Sequence, residues 1–137
     1  MSGGEEVWGE TTDGGLLKEL FGKFPTFREA KLSEITFVPR DDAIELVVYY
    51  TDKSPEGSDS LSVRIRMVWQ GIQSLSLPLS DGYLSNLTLR RRGDLIRAEF
   101  EFGFEQFGFI ESEKLEAKLE KVDPLIEDEK PILLRYR

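Results

Sequence analysis

The sequence predicts an α+β fold, predominantly antiparallel β. The expected core is one twisted or half-barrel sheet of about six to seven strands, with a short N-terminal helix packed on it. Three observations predict this. Leu61, Val63, Ile65, Met67 and Trp69 alternate with Ser62, Arg64, Arg66, Val68 and Gln70, the period of a strand buried on one side. Gly93-Asp94 separates a run holding Leu87 and Leu89 from one holding Ile96, Ala98, Phe100 and Phe102, which reads as a hairpin. Helical spacing with matching start and stop signals occurs near the start, at Leu16, Leu17, Leu20 and Phe21.

Taken in order, residues 1–13 read as a flexible acidic arm, in which Val7 and Trp8 are the candidates to fold back. The helix after Asp13-Gly14-Gly15 stops where Gly22 suits a left-handed position and Pro25 prevents continuation. At about two turns it needs a sheet to pack on. Ala30 to Val38 reads as a strand, but Leu32, Ile35 and Phe37 share a face only with a bulge between the first two. Pro39-Arg40-Asp41-Asp42 is a polar turn. The β-branched and aromatic run from Ala43 to Tyr50 follows, with Ile44, Leu46, Val48 and Tyr50 on one face. Thr51 to Ser60 reads as a charged loop.

Gly71 is expected to break the strand that follows, leaving Ile72 to Leu79 as a shorter one. After the hairpin, Glu105 to Phe109 reads as an aromatic turn. Residues 113–122 fit either period, and the alternation of Leu115, Ala117 and Leu119 favours strand. Residues 14–124 form the expected single domain, and 125–137 a charged C-terminal tail with an apolar patch at Pro131-Ile132-Leu133-Leu134.

The formal net charge is −8, and residues 1–60 hold 6 basic and 13 acidic side chains, a balance of −7. An acidic chain repels phosphate backbones, so nucleic acid is not an expected ligand. No apolar run approaches a membrane span, and there is no cysteine to form disulfides. The expectation is a cytoplasmic protein with no membrane partner. The absence of histidine and cysteine removes the usual nucleophile and base pairs and imidazole or thiolate metal sites. No phosphate-cradling glycine motif is present. The expectation is a binder with no catalytic residues, cofactor or metal.

Five acidic residues, Asp41, Asp42, Asp52, Glu56 and Asp59, form the candidate partner-binding surface. They fall in two loops flanking one strand and are expected to share an end of the sheet. Arg90-Arg91-Arg92 reads as a solvated hairpin end split between faces by strand alternation. The five phenylalanines from Phe100 to Phe109 could line a ligand cavity, and Trp69 reads as core.

Read in order, three segments resemble the immunity protein 50 family of bacterial polymorphic-toxin systems. The first runs from Leu16-Leu17-Lys18-Glu19-Leu20-Phe21-Gly22 through Phe24-Pro25 to Phe27-Arg28-Glu29-Ala30. The second is Met67-Val68-Trp69-Gln70-Gly71-Ile72 and the stretch Leu75 to Leu79. The third is Phe102-Gly103, Phe107-Gly108-Phe109 and Val122-Asp123-Pro124. The likeness covers residues 16–124. It departs at Arg28-Glu29, where the family has His-Asp. The resemblance implies an α+β immunity protein that neutralises a cognate toxin by stoichiometric, non-covalent association. A basic, nuclease-like toxin would suit the acidic charge. Two other classes fit the residues alone: a β barrel binding a small apolar ligand, and a homo-oligomeric scaffold joined through strand edges.

Overall fold

The computed structural model describes residues 4–22, 24, 26–53, 60–78, 84–102, 106–124 and 132–137, with backbone alone for 4–6, 52, 53 and 60. The two long strands, β3 (Ser60–Ser76) and β6 (Gln106–Val122), run antiparallel through the middle of a seven-stranded sheet. The others are β1 (Lys31–Val38), β2 (Ala43–Lys53), β4 (Leu84–Arg92), β5 (Leu95–Phe102) and β7 (Leu133–Tyr136). Their order is β4-β5-β6-β3-β2-β1-β7. Every pairing is antiparallel except β7 on β1. The α+β, mostly antiparallel fold is therefore as the sequence predicts.

The long strands serve two wings. β5 pairs with β6 only over 106–112, and β4 with β5, giving a hairpin wing. β2 pairs with β3 over 60–70, and β1 and β7 follow, giving a meander wing. The wings meet at Gly71. The buried positions of β6 run 110, 112 and then 115, 117, so the alternation skips one residue there. Gly71 has φ +68°, and an added Cβ would lie 2.8 Å from the Glu113 carboxylate. A residue in this left-handed region redirects a strand without ending it. The strand expected to break at Gly71 accordingly continues to Ser76, with a register shift between Ile72 and Ser74.

Both apolar faces converge on one core. The meander wing contributes Ile44, Leu46, Val48, Val63, Ile65, Met67, Trp69 and Leu115; the hairpin wing contributes Leu87, Leu89, Ile96, Phe100, Phe102 and Ile110. Trp69, fully buried as expected, meets Phe100 edge-on at 5.8 Å and joins the two sets. The bulge expected in β1 appears as a register shift between Leu32 and Glu34.

The second sequence expectation to fail is the turn at 105–109. Gln106 to Phe109 belong to β6 and pair with Phe102 to Glu99. Gly108 marks close approach of two strands and not a turn: a Cβ there would lie 2.6 Å from the Ser76 carbonyl. Residues 113–122 are strand, as alternation favours.

Helix α1 (Gly4–Glu10) lies within the acidic arm, and its Val7 and Trp8 do fold back into the core. Helix α2 (Gly14–Phe21) buries Leu17 and ends at Gly22, φ +75°. Asp13, between the helices, makes no side-chain cap bond. Its N–H donates to the Ala117 carbonyl at 2.8 Å, and its Oδ2 accepts from the Leu119 N–H at 2.7 Å. It thus covers the edge of β6 that β5 does not reach, a stretch whose backbone groups need partners.

A strap closes the other side. Glu29 N–H donates to the Leu84 carbonyl at 2.7 Å, Leu84 N–H to the Ala30 carbonyl at 2.8 Å, and Leu87 N–H to the Thr26 carbonyl at 3.1 Å. Residues 26–30 therefore run from the start of β1 to the edge of β4. Phe27 is fully buried between Trp8 and Tyr50, with ring centroids 5.3 and 5.2 Å away. Phe27 and Glu29 take φ of +60° and +65°, a costly geometry for side chains of this size. The charged tail adds β7 to the sheet from Leu133 to Tyr136, with Tyr136 stacked on Phe37 at 5.2 Å. Among the described residues no helix is long and apolar enough to cross a membrane.

Candidate functional site

The sides of the wings turned away from the core carry most of the interlocked charge. On the meander wing, strand alternation sends Arg64 and Arg66 outward while Val63, Ile65 and Met67 go inward. Glu34 from β1, and Glu45 and Tyr49 from β2, arrive by the same rule. Glu120 arrives by a bulge. Leu119 pairs with Ile65 and Lys121 with Arg64, so Glu120 is the extra residue. From there it accepts from Arg64 Nε and Arg66 Nε, each at 2.8 Å.

Arg64 also donates to the Tyr49 hydroxyl at 2.6 Å and lies 3.3 Å from Glu34. Arg66 lies 3.0 Å from Glu45. β7 completes the lattice, with Arg135 3.3 Å from Glu34 and Arg137 3.4 Å from Glu45. Four arginines and three glutamates give this network one more positive charge than negative, although the whole chain is acidic. Burial pushes the Glu120 carboxyl up, but the hydrogen bonds and charges of Arg66 and Arg64 outweigh it and hold the carboxyl below its usual range. The bond to Glu120 in turn raises both guanidinium groups.

On the hairpin wing, Glu111 of β6 accepts from Arg97 and from Arg92, the latter at 2.9 Å. Arg90 lies 3.0 Å from Glu99. Arg91 points to the opposite side and pairs with Glu10 of α1. The basic run is thus split between faces, as strand alternation requires. The Arg97 guanidinium sits 4.2 Å from the Phe109 ring centroid. Beside it, Thr88, Glu99, Glu101, Phe107 and Phe109 wall a depression of about 380 Å³.

Of the five acidic residues singled out in the sequence, the three that are described are not all brought together. Asp41 and Asp42 are exposed at the β1–β2 turn, where Asp42 takes φ +47° and donates its N–H to the Pro39 carbonyl. Asp52 lies near the far end of β2, opposite Leu61. Ten residues of extended strand separate Asp42 from Asp52, roughly 33 Å, so a shared end of the sheet is ruled out for these two. Glu56 and Asp59 lie outside the described residues. Loops that flank a single strand emerge at its opposite ends.

The phenylalanines also separate. Phe100 and Phe102 are core, Phe107 is exposed, Phe109 is half-buried under Arg97, and Phe104 lies outside the described residues. Among the described residues no group of three or more carboxylates is arranged to hold a metal ion. Sequence reasoning missed Glu34, Glu45, Arg64, Arg66 and Glu120 as a unit. Alternation shows the first four facing outward, but only the strand order makes them neighbours. Searches among family models, curated proteins and solved structures give no match to this chain.

Proposed function

We propose that this chain is an immunity-type protein that binds a cognate bacterial toxin and neutralises it by stoichiometric, non-covalent association. The resemblance supplies the class of partner. One structural observation carries the binding role: the polar sides of the wings offer broad, preorganised arrays of charge, with Glu34 and Glu45 only 16% and 15% exposed. Charges already fixed in place lose little entropy when a partner docks, and an array spread over several strands suits a protein better than a small molecule. The exposed Asp41 and Asp42 would add long-range attraction for a basic toxin, together with Asp52, Glu56 and Asp59.

The test is co-expression with a candidate toxin taken from the neighbouring genes, followed by purification. The expected result is restored growth and a one-to-one complex. A toxin that still kills and elutes alone would sink the pairing. Charge reversal at the five acidic positions should slow association and flatten its salt dependence, measured by stopped flow. An unchanged rate would remove them from steering.

A further inference from the structure

Along the outward side of the hairpin wing, three cross-strand pairs follow one another: Arg97 with Glu111, Glu99 with Phe109, and Glu101 with Phe107. The first two pairs make a closed unit. The Arg97 guanidinium covers the Phe109 ring, and the carboxylates of Glu111 and Glu99 stand at its edges. The ring face and the carboxylates each attract the cation, from different directions.

One step along the strands, the same ingredients recur without the cation. Phe107 is 66% exposed, more than any other phenylalanine described, and no ring or cation covers it among the described residues. Glu101, directly across, is exposed, and its carboxylate has no hydrogen-bond or ion-pair partner among the described residues. Both line the depression of about 380 Å³, with Glu99 between the empty unit and the filled one.

We propose that this position takes the guanidinium of an arginine on a partner protein, stacked on Phe107 and paired with Glu101. The filled unit two residues away is the template: the chain itself completes an aromatic and carboxylate pair with arginine. A planar guanidinium can stack and form a forked bond at once, which an ammonium group cannot. An apolar occupant would strip water from Glu101 without replacing it. The inference rests on the chain being a protein binder and adds what that binder recognises.

The test titrates the full-length, isotope-labelled chain with N-acetyl-arginine amide and follows backbone amide shifts. The neutral citrulline counterpart, of nearly the same shape, is the control. The expected result is saturable shifts at Glu101, Phe107 and Gly108 with the arginine probe and none with citrulline. Phe107→Leu and Glu101→Gln should each weaken binding roughly two- to five-fold. Phe107 is exposed, so both variants should keep the parent spectrum elsewhere. Equal shifts with citrulline, shifts mapping to another surface, or unchanged affinity in both variants would overturn the site. Arginine binding here without a toxin complex leaves the site standing and removes the immunity reading. A toxin complex whose dissociation rate ignores both substitutions does the reverse.

Discussion

The two wings of the sheet use the same residue types to different ends. In the meander wing, Arg64 and Arg66 each hold at least two partners, and side-chain exposure stays between 15% and 31% for the inner members. In the hairpin wing only Arg97 and Glu111 are as buried, at 18% and 11%; Arg90 and Arg92 are 53% and 65% exposed, and one of two aromatic positions is bare. Partly buried pairs in a network resist salt and order the strands beneath them, whereas exposed pairs contribute little. The meander wing is thus a braced surface. The hairpin wing is an open one, with unspent capacity for a cation.

The largest effect is expected where the two wings join. Trp69→Ala removes the contact between the wings and should cost about 3–5 kcal/mol in urea denaturation, still in one transition. Two separate transitions would mean that the wings are independent units. Arg66→Ala strips a partner from both Glu45 and Glu120 and should cost about 1–2 kcal/mol. Gly71→Ala forces a side chain into a left-handed backbone against Glu113, at about 1 kcal/mol or somewhat more. Its thermal midpoint should fall, and an unchanged midpoint would show that the bend does not depend on this residue.

Glu120→Gln sharpens the picture through pH. The folded carboxyl sits below its unfolded value, so its stabilisation is present above about pH 4.3 and fades as pH falls through the folded value. The variant should therefore be weaker than the parent near neutrality and equal to it in strong acid. A deficit that persists in acid would point to packing and not charge. The smallest effect is expected for Arg92→Ala in the hairpin wing, within about 0.5 kcal/mol. A loss there matching that of Arg66→Ala would erase the distinction between the wings.

Much of this fold is legible in the sequence because burial on one side imposes a period. The alternation from Leu61 to Trp69 identifies β3, and the spacing around Leu32 and Ile35 requires a bulge that is present. Gly71 and Gly108 mislead because glycine ends some strands and bends or tightens others, and only the facing strand decides which. The binding surface is less legible. Asp41 and Asp52 look close in sequence terms, but a strand of length β2 holds them apart. Glu34 and Glu120 look unrelated, but both lie within 3.3 Å of Arg64. Such neighbourhoods depend on strand order, which local pattern does not encode.

The sharing of β3 and β6 between both wings also sets a timetable. β2 and β3 can zip together soon after they leave the ribosome, but β3 gains its other neighbour only when residues up to Val122 have been made. At ordinary rates of synthesis that wait lasts on the order of a few seconds. For that interval the edge carrying Ile65, Met67 and Trp69 stands open in the crowded cell. The yield of this protein should depend on how well those seconds are guarded.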